Sequence, residues 1–303
     1  RISLSNQLKV LKEKKMFTNT LKTTFLLFGL IALFTAIGGI LGNQTGAMIG
    51  LIVAGCMSFY SYWFSDKMVI KAYKGQEVTD LSNPLLYKMV RNLADNANLP
   101  MPKIYIIPEN QPNAFATGRN PNNSAVACTQ GLLNMMNDNE LKGVIAHELG
   151  HIKHRDILIS TIAATFAGAI ANIARFLPYS TNRRRSDDND RNNNIIVILL
   201  VSLLAPIAAL IIQMSISRKR EFMADRAGAE ISGNPTFLSN ALIKLEKYSL
   251  QIPMDNQNRY ASHMFIVNPF SKLEGFQNLF RTHPTTEERV KELEKFARKN
   301  GMI

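Results

Sequence analysis

From residue 23 to residue 65 the chain carries no charged side chain, a run of 43 positions closed by Lys22 on one side and Asp66 on the other. A helix needs about 20 apolar residues to cross the hydrocarbon core of a bilayer, so a run of this length holds two spans joined by a tight turn. Gly42-Asn43-Gln44-Thr45-Gly46 supplies the turn residues. The expected spans are 23–41 and 46–64, with Tyr60, Tyr62 and Trp63 as an interfacial belt. A cleavable secretory signal is excluded, because the apolar stretch is too long and no polar cleavage region follows it. Lys9, Lys12, Lys14, Lys15 and Lys22 precede the run, and Lys67, Lys71 and Lys74 follow it. A hairpin puts both flanks on one side, and an excess of lysine marks that side as the cytoplasm. Residues 1–15 precede the first methionine, Met16, and read as a leader or an added arm, with an amphipathic cytoplasmic arm as the alternative.

The net charge of +12 belongs to the same picture. A basic chain binds nucleic acid or an anionic membrane surface. No nucleic-acid-binding signature is present, and many lysines flank apolar blocks, so the bilayer is the expected partner. Cys56 lies in an apolar block and Cys128 in a polar one, which argues against a disulfide framework and for a reducing compartment.

A polar stretch follows. Residues 81–99 read as a helix, capped by Asp80 or Ser82 with Pro84 in its first turn. Residues 103–107, 114–117 and 125–129 read as strands of a small antiparallel sheet, the last two separated by the turn cluster 118–123. Asn139-Glu140-Leu141 opens a further helix. Two more apolar blocks, 157–174 and 192–217, suggest a second hydrophobic hairpin over 157–217. Its polar link, 178–194, carries Arg183, Arg184, Arg185 and Arg191, which the positive-inside rule disfavours on the outer face. Two buried or re-entrant helices are the competing reading of that block. In the last part, Asn234-Pro235 starts one helix and Thr285-Thr286-Glu287-Glu288 caps another. The expected organisation is an N-terminal hairpin over 16–66, a cytoplasmic protease domain built from 67–156 and 218–303, and the second hairpin between its halves.

The chemistry is concentrated in His147-Glu148-Leu149-Gly150-His151. Positions i and i+4 share one helix face, so two imidazoles can reach one Zn²⁺. Glu148 projects beside them, where it can take a proton from the attacking water. Chance would produce about 0.003 such patterns in a chain of this composition. A catalytic zinc needs a third protein ligand and an open position. Glu221 satisfies the first by arithmetic: His151 to Leu177 and Ile195 to Glu221 are equal arms, so a helical hairpin returns Glu221 to the level of the histidines. A salt bridge of Glu221 with Arg218 or Lys219 is the plain alternative. Asp225 lies one turn on, placed to accept a hydrogen bond from a ligand imidazole. His154 is near the same face. As a fourth ligand it would close the site and make it structural, so it reads instead as a supporting or solvent-facing residue.

These stretches together resemble the HtpX-type bacterial membrane zinc metalloproteases, heat-shock proteases related to the Ste-type CAAX prenyl proteases. The resemblance covers residues 16–303. It rests on Asn113-Ala114-Phe115-Ala116-Thr117-Gly118, on the HELGH motif, on Arg220-Glu221-Phe222-Met223-Ala224-Asp225, and on Thr282-His283-Pro284-Thr285-Thr286-Glu287-Glu288-Arg289. It implies a mainly α integral membrane protein with a zincin-like (gluzincin) domain and up to four transmembrane helices. One zinc per chain would be held by His147, His151 and Glu221, with Glu148 as base and Asp225 as supporting carboxylate. It further implies that His283 steadies the tetrahedral intermediate and that the strand around Asn113, Ala114, Phe115 and Ala116 holds substrate. Members work in the inner membrane on misfolded or damaged membrane proteins. His154 departs from the asparagine expected there.

Other classes fit less well. A prenyl-protein protease would need a large intramembrane chamber, for which four spans are few. A receptor with a structural zinc has no use for Glu148. A transporter calls for ionisable groups inside the spans, and the first two offer none.

Overall fold

The computed structural model describes residues 4–160, 162, 218–251 and 284–302. The second apolar block, its polar link and His283 lie outside these residues, apart from the first turn after Asp156.

The first helical element, α1, covers Leu4–Ala72 and is broken at Gly42 (φ −146°) and Asn43 (φ 52°), within the turn cluster, and kinked again at Phe64 (φ −117°). The two limbs fold back on each other through glycine. A Cβ at Gly38 would stand 2.1 Å from the Gly46 carbonyl oxygen, and one at Gly50 would stand 2.3 Å from that of Phe34. Small residues one turn apart let two helix backbones touch, the packing mode of apolar helices in lipid. Gly42–Phe64 is long and apolar enough to span a bilayer, with mean hydropathy 1.5. Leu27–Gly39, in the other limb, is a shorter apolar helix. Among the described residues one helix therefore meets the full length criterion, where two were expected. Its outward side carries Met48, Ile49, Ile52, Phe59, Tyr60 and Trp63, all exposed. Leu30 of the first limb packs on Ile159 and Ile162, so the segment after Asp156 runs alongside this hairpin.

Four strands form one mixed sheet: β1 (Gln76–Val78), β2 (Lys103–Ile107), β3 (Ala114–Asn120) and β4 (Asn123–Thr129), in the order β1-β2-β4-β3. The expected all-antiparallel sheet is corrected here. The β3–β4 hairpin enters with its second strand against β2, so β2 and β4 run parallel and β3 is left at the edge. The short β1, not foreseen, pairs antiparallel with β2.

The helices begin where side chains can cap them. α2 (Pro84–Ala97) is capped by Asn83, whose side chain accepts from the Leu86 N–H, rather than by Asp80 or Ser82. A short α3 (Gln130–Met135) follows β4. α4 (Asp138–His154) opens with a reciprocal capping box between Asn137 and Glu140. α5 (Arg218–Ser232), α6 (Pro235–Gln251) and α7 (Thr286–Lys299) complete the domain, the last capped by Thr285 and Glu288. α4 is the centre of the core and touches α2, α5, α6 and β3. Val144, Ile145, Ala146 and Leu149 are fully enclosed. Glycine sets the closest contacts. A Cβ at Gly143 would fall 2.4 Å from the Leu238 nitrogen, and Cβ atoms at Gly150 and Gly228 would each meet the facing backbone at 3.0 Å. Gly150 of the HELGH motif thus admits α5 against α4, which carries Glu221 to the histidines.

Candidate active site

Because α4 is buried on all sides over residues 143–150, His147 and Glu148 are shut from water at 1% and 4% exposure. A surface helix carrying two exposed histidines would not give this burial. His147 and His151 sit one turn apart with their Nε2 atoms 3.1 Å from each other. Glu221, in the first turn of α5, places one carboxylate oxygen 3.8 Å from His147 Nε2 and the other 3.8 Å from His151 Nε2. Two ligands at ~2.1 Å around a tetrahedral ion stand about 3.4 Å apart, so these separations bracket what a single metal ion requires. All three donor atoms lie within 4.8 Å of one another. His154, half-buried at the end of α4, is not part of this group.

Each imidazole is held from behind. His147 Nδ1 is 2.9 Å from Asp225 Oδ1, and His151 Nδ1 is 3.3 Å from both oxygens of Asp156. A carboxylate on Nδ1 fixes the tautomer and turns Nε2 to the metal. Asp225 was legible one turn beyond Glu221. Asp156 was not, because it lies beyond the end of α4. Arg155 ends that helix in the left-handed conformation (φ 55°), its N–H reaching the His151 carbonyl, and this turn swings Asp156 under the ring. Arg289 is the other residue missed as a member of the site. It is 1% exposed and grips Asp225 from α7, Nε to Oδ2 at 2.9 Å and Nη2 to Oδ1 at 2.6 Å. Nothing in the sequence separates such an arginine from the surface arginines around it, except its place four residues after the cap Thr285.

The electrostatics follow from burial. Desolvation raises the pKa of Glu148, with Glu221 adding to the effect, while His147, His151 and the Ala116 N–H oppose it. A carboxylate kept above its ordinary range is suited to accept and return a proton. Burial disfavours charge on His151, but Asp156, Glu221 and Glu148 overcome it and carry its pKa up to about 10. Burial also raises Asp225, and the Arg289 guanidinium reverses this and holds it below the usual carboxylate range. Cys128 is pushed up to about 12 by burial and by Glu148, so its thiol is inert.

The predicted substrate strand lies beside the base. Glu148 Oε2 accepts a hydrogen bond from the Ala116 N–H at 2.8 Å, on the side of β3 away from β4. Ala114 and Phe115 are buried, and Phe115 turns away from the site into a cluster with Val69, Ile70 and Ile107. Asn113 is buried, with its backbone bonded to Thr129.

Residues 80–297 match the model of peptidase family M48. The chain belongs to that family. As an M48 peptidase it is a metalloprotease, and its His147, His151 and Glu221 form a group that could hold a metal ion. It is 52% identical over 282 residues to the protease HtpX homologs of Burkholderia mallei (strain SAVP1) and Burkholderia pseudomallei (strain K96243), covering 92% of this chain and 98% of each relative. Among solved structures, S. mikatae Ste24p is similar at 21% identity with a TM-score of 0.48, covering 92% of this chain and 66% of the yeast one.

Proposed function

We propose that this M48 peptidase is a zinc-dependent endopeptidase of the bacterial inner membrane that cuts misfolded or damaged membrane proteins, and unfolded polypeptide generally, from the cytoplasmic side as part of the stress response. The observation that carries the reading is the meeting of His147, His151 and Glu221 beside a buried Glu148. Relatives named as HtpX-type proteases and the 23-residue apolar helix Gly42–Phe64 support it.

The donor set of two imidazoles and one carboxylate fits zinc and leaves a position open for chemistry. When bound, zinc polarises the scissile carbonyl and acidifies water toward a pKa of ~7. Glu148 then takes the proton of the attacking water and delivers it to the leaving amine. Asp225 and Asp156, each against the Nδ1 of one imidazole, hold the rings in place and aim Nε2 at the metal position. An extended substrate adds to the outer edge of β3 at Ala114 and Ala116, held by backbone hydrogen bonds that read little side-chain sequence. Phe115 serves this edge by anchoring it rather than by touching substrate. His283 is proposed to stabilise the developing oxyanion.

Detergent-purified protein should degrade casein, and a chelator should abolish the cleavage until zinc is restored. Chelator-resistant cleavage would refute the metal mechanism. One zinc should bind per chain and displace about one proton near pH 7, since a ligand imidazole must be neutral and His151 holds its proton in the metal-free state. Calorimetry in buffers of differing ionisation enthalpy reads that number. Stoichiometric tight zinc in Glu221→Ala would remove Glu221 from the ligand set.

The domain division proposed is a membrane hairpin over 16–66, a protease domain from 67–156 and 218–303, and a second hairpin over 157–217. Single cysteines at positions 140 and 187, with Cys56 replaced, test it in intact cells. An impermeant reagent should label 187 but not 140. Labelling at 140 would invert the proposed orientation, and protection at 187 would mean that the second hairpin does not cross.

A further inference from the structure

The membrane helix and the substrate-edge strand are fastened together without a linker. β3 runs antiparallel to the last turns of α1 and touches it at both ends. At the site end, Phe115 packs on Val69 and Ile70, with its ring 5.9 Å from that of Tyr73. At the other end, the Arg119 guanidinium lies 4.3 Å over the Trp63 ring and donates from Nη1 to the Trp63 carbonyl at 3.3 Å. Nη2 of the same residue donates to Asn123 across the hairpin tip at 3.3 Å. Trp63 stands at the end of the apolar span, among exposed Phe59, Tyr60, Tyr62 and Phe64. Such a ring of aromatics marks the level of the bilayer interface, and Lys67 and Lys71 just beyond suit its anionic surface.

Two rises give the same height. From the kink at Phe64, next to Trp63, to Ile70 is six residues of helix, about 9 Å at 1.5 Å each. From Arg119 back to Ala116, whose N–H contacts Glu148, is three residues of strand, about 10 Å at 3.3 Å each. We infer that Arg119 and Trp63 fix the catalytic edge about 10 Å from the membrane surface, so that the enzyme measures where it cuts. Its preferred substrates are polypeptides leaving the bilayer in extended form, cut roughly three to four residues beyond the end of their span at this rise per residue. Arg119 and Trp63 are positioning residues that act through β3.

This inference rests on the protease reading above. The test uses full-length enzyme in liposomes with a substrate made of one apolar span followed by an unfolded casein segment. Further substrates carry four or eight residues inserted between span and casein. Mass spectrometry of the fragments locates the cuts. A fixed height predicts that the cut stays at constant distance from the span and so moves through the casein sequence by the length of the insert. Arg119→Ala and Trp63→Ala should spread the cuts over many bonds, while Trp63→Phe, which keeps an aromatic ring under Arg119, should restore the narrow pattern. Cleavage of free casein in detergent should change less than twofold in all three variants. Cuts that follow the casein sequence regardless of insert overturn the inference with wild-type enzyme alone, as does an unchanged narrow pattern in Arg119→Ala. Failure to cleave even free casein would bring down the protease reading itself, and this inference with it.

Discussion

Glu148→Gln should retain its metal and lose about 10²–10⁴-fold in turnover, the range expected when a general base is removed. The side chain is 4% exposed and accepts a hydrogen bond from the Ala116 N–H. An amide oxygen can accept the same bond in the same volume, so the substitution preserves shape and packing. What it removes is a group able to take a proton from water and hand it to an amine. His147, His151 and Glu221 are untouched, so zinc content per chain should equal that of the wild type. Turnover at the wild-type rate would end the assignment of Glu148 as base. Loss of the metal would show instead that Glu148 helps to hold it.

The largest loss of stability should come from Arg289→Met. Arg289 and Asp225 are buried together at 1% exposure each and share two short hydrogen bonds. Taking one partner from a buried ion pair leaves the other charged and desolvated, at a cost of about 3–5 kcal/mol. Asp225 would also lose the cation that keeps it ionised behind His147. Zinc affinity should therefore fall by roughly 10–100-fold, as when a residue orienting a metal ligand is removed. The double variant Asp225→Asn with Arg289→Met removes both charges and should recover much of the stability while metal binding stays weak. Thermal unfolding at a fixed zinc concentration, which ligand linkage requires, reads the first effect, and metal titration reads the second. A single variant as stable as the wild type would show that α7 does not hold the centre together.

What the sequence made legible was local. The capping box at Thr285/Glu288, the Asn234-Pro235 start and the break at Gly42–Asn43 all depend on neighbours within four residues, and the structure has each of them in place, whereas the helix expected to open at Asn139 is capped two residues earlier, at Asn137. The sheet was harder. β2, β3 and β4 each hold a short apolar stretch, and periodicity cannot say which of two hairpin strands lies against a third. Hence the parallel β2–β4 pairing was missed. Asp156 and Arg289 were hidden for a different reason. A charged residue in a sequence looks solvated unless its partner is known, and Arg289 has its partner 64 positions away. Gly150 and Gly228 could be read as spacers in one dimension, but their use as points of backbone approach exists only once α4 and α5 meet.

The Arg289–Asp225 clamp also has a consequence in time. The HELGH motif is complete once His151 has been made, yet the arginine that secures its histidine's supporting carboxylate lies 142 positions after His147. During synthesis, every intermediate length up to α7 carries the motif without the clamp. A newborn chain therefore carries the motif in an unfinished centre, and Asp225 gains its guanidinium partner only once α7 has been made. The order of residues along the chain thereby acts as a safety catch, and a product stalled or clipped before α7 keeps it on.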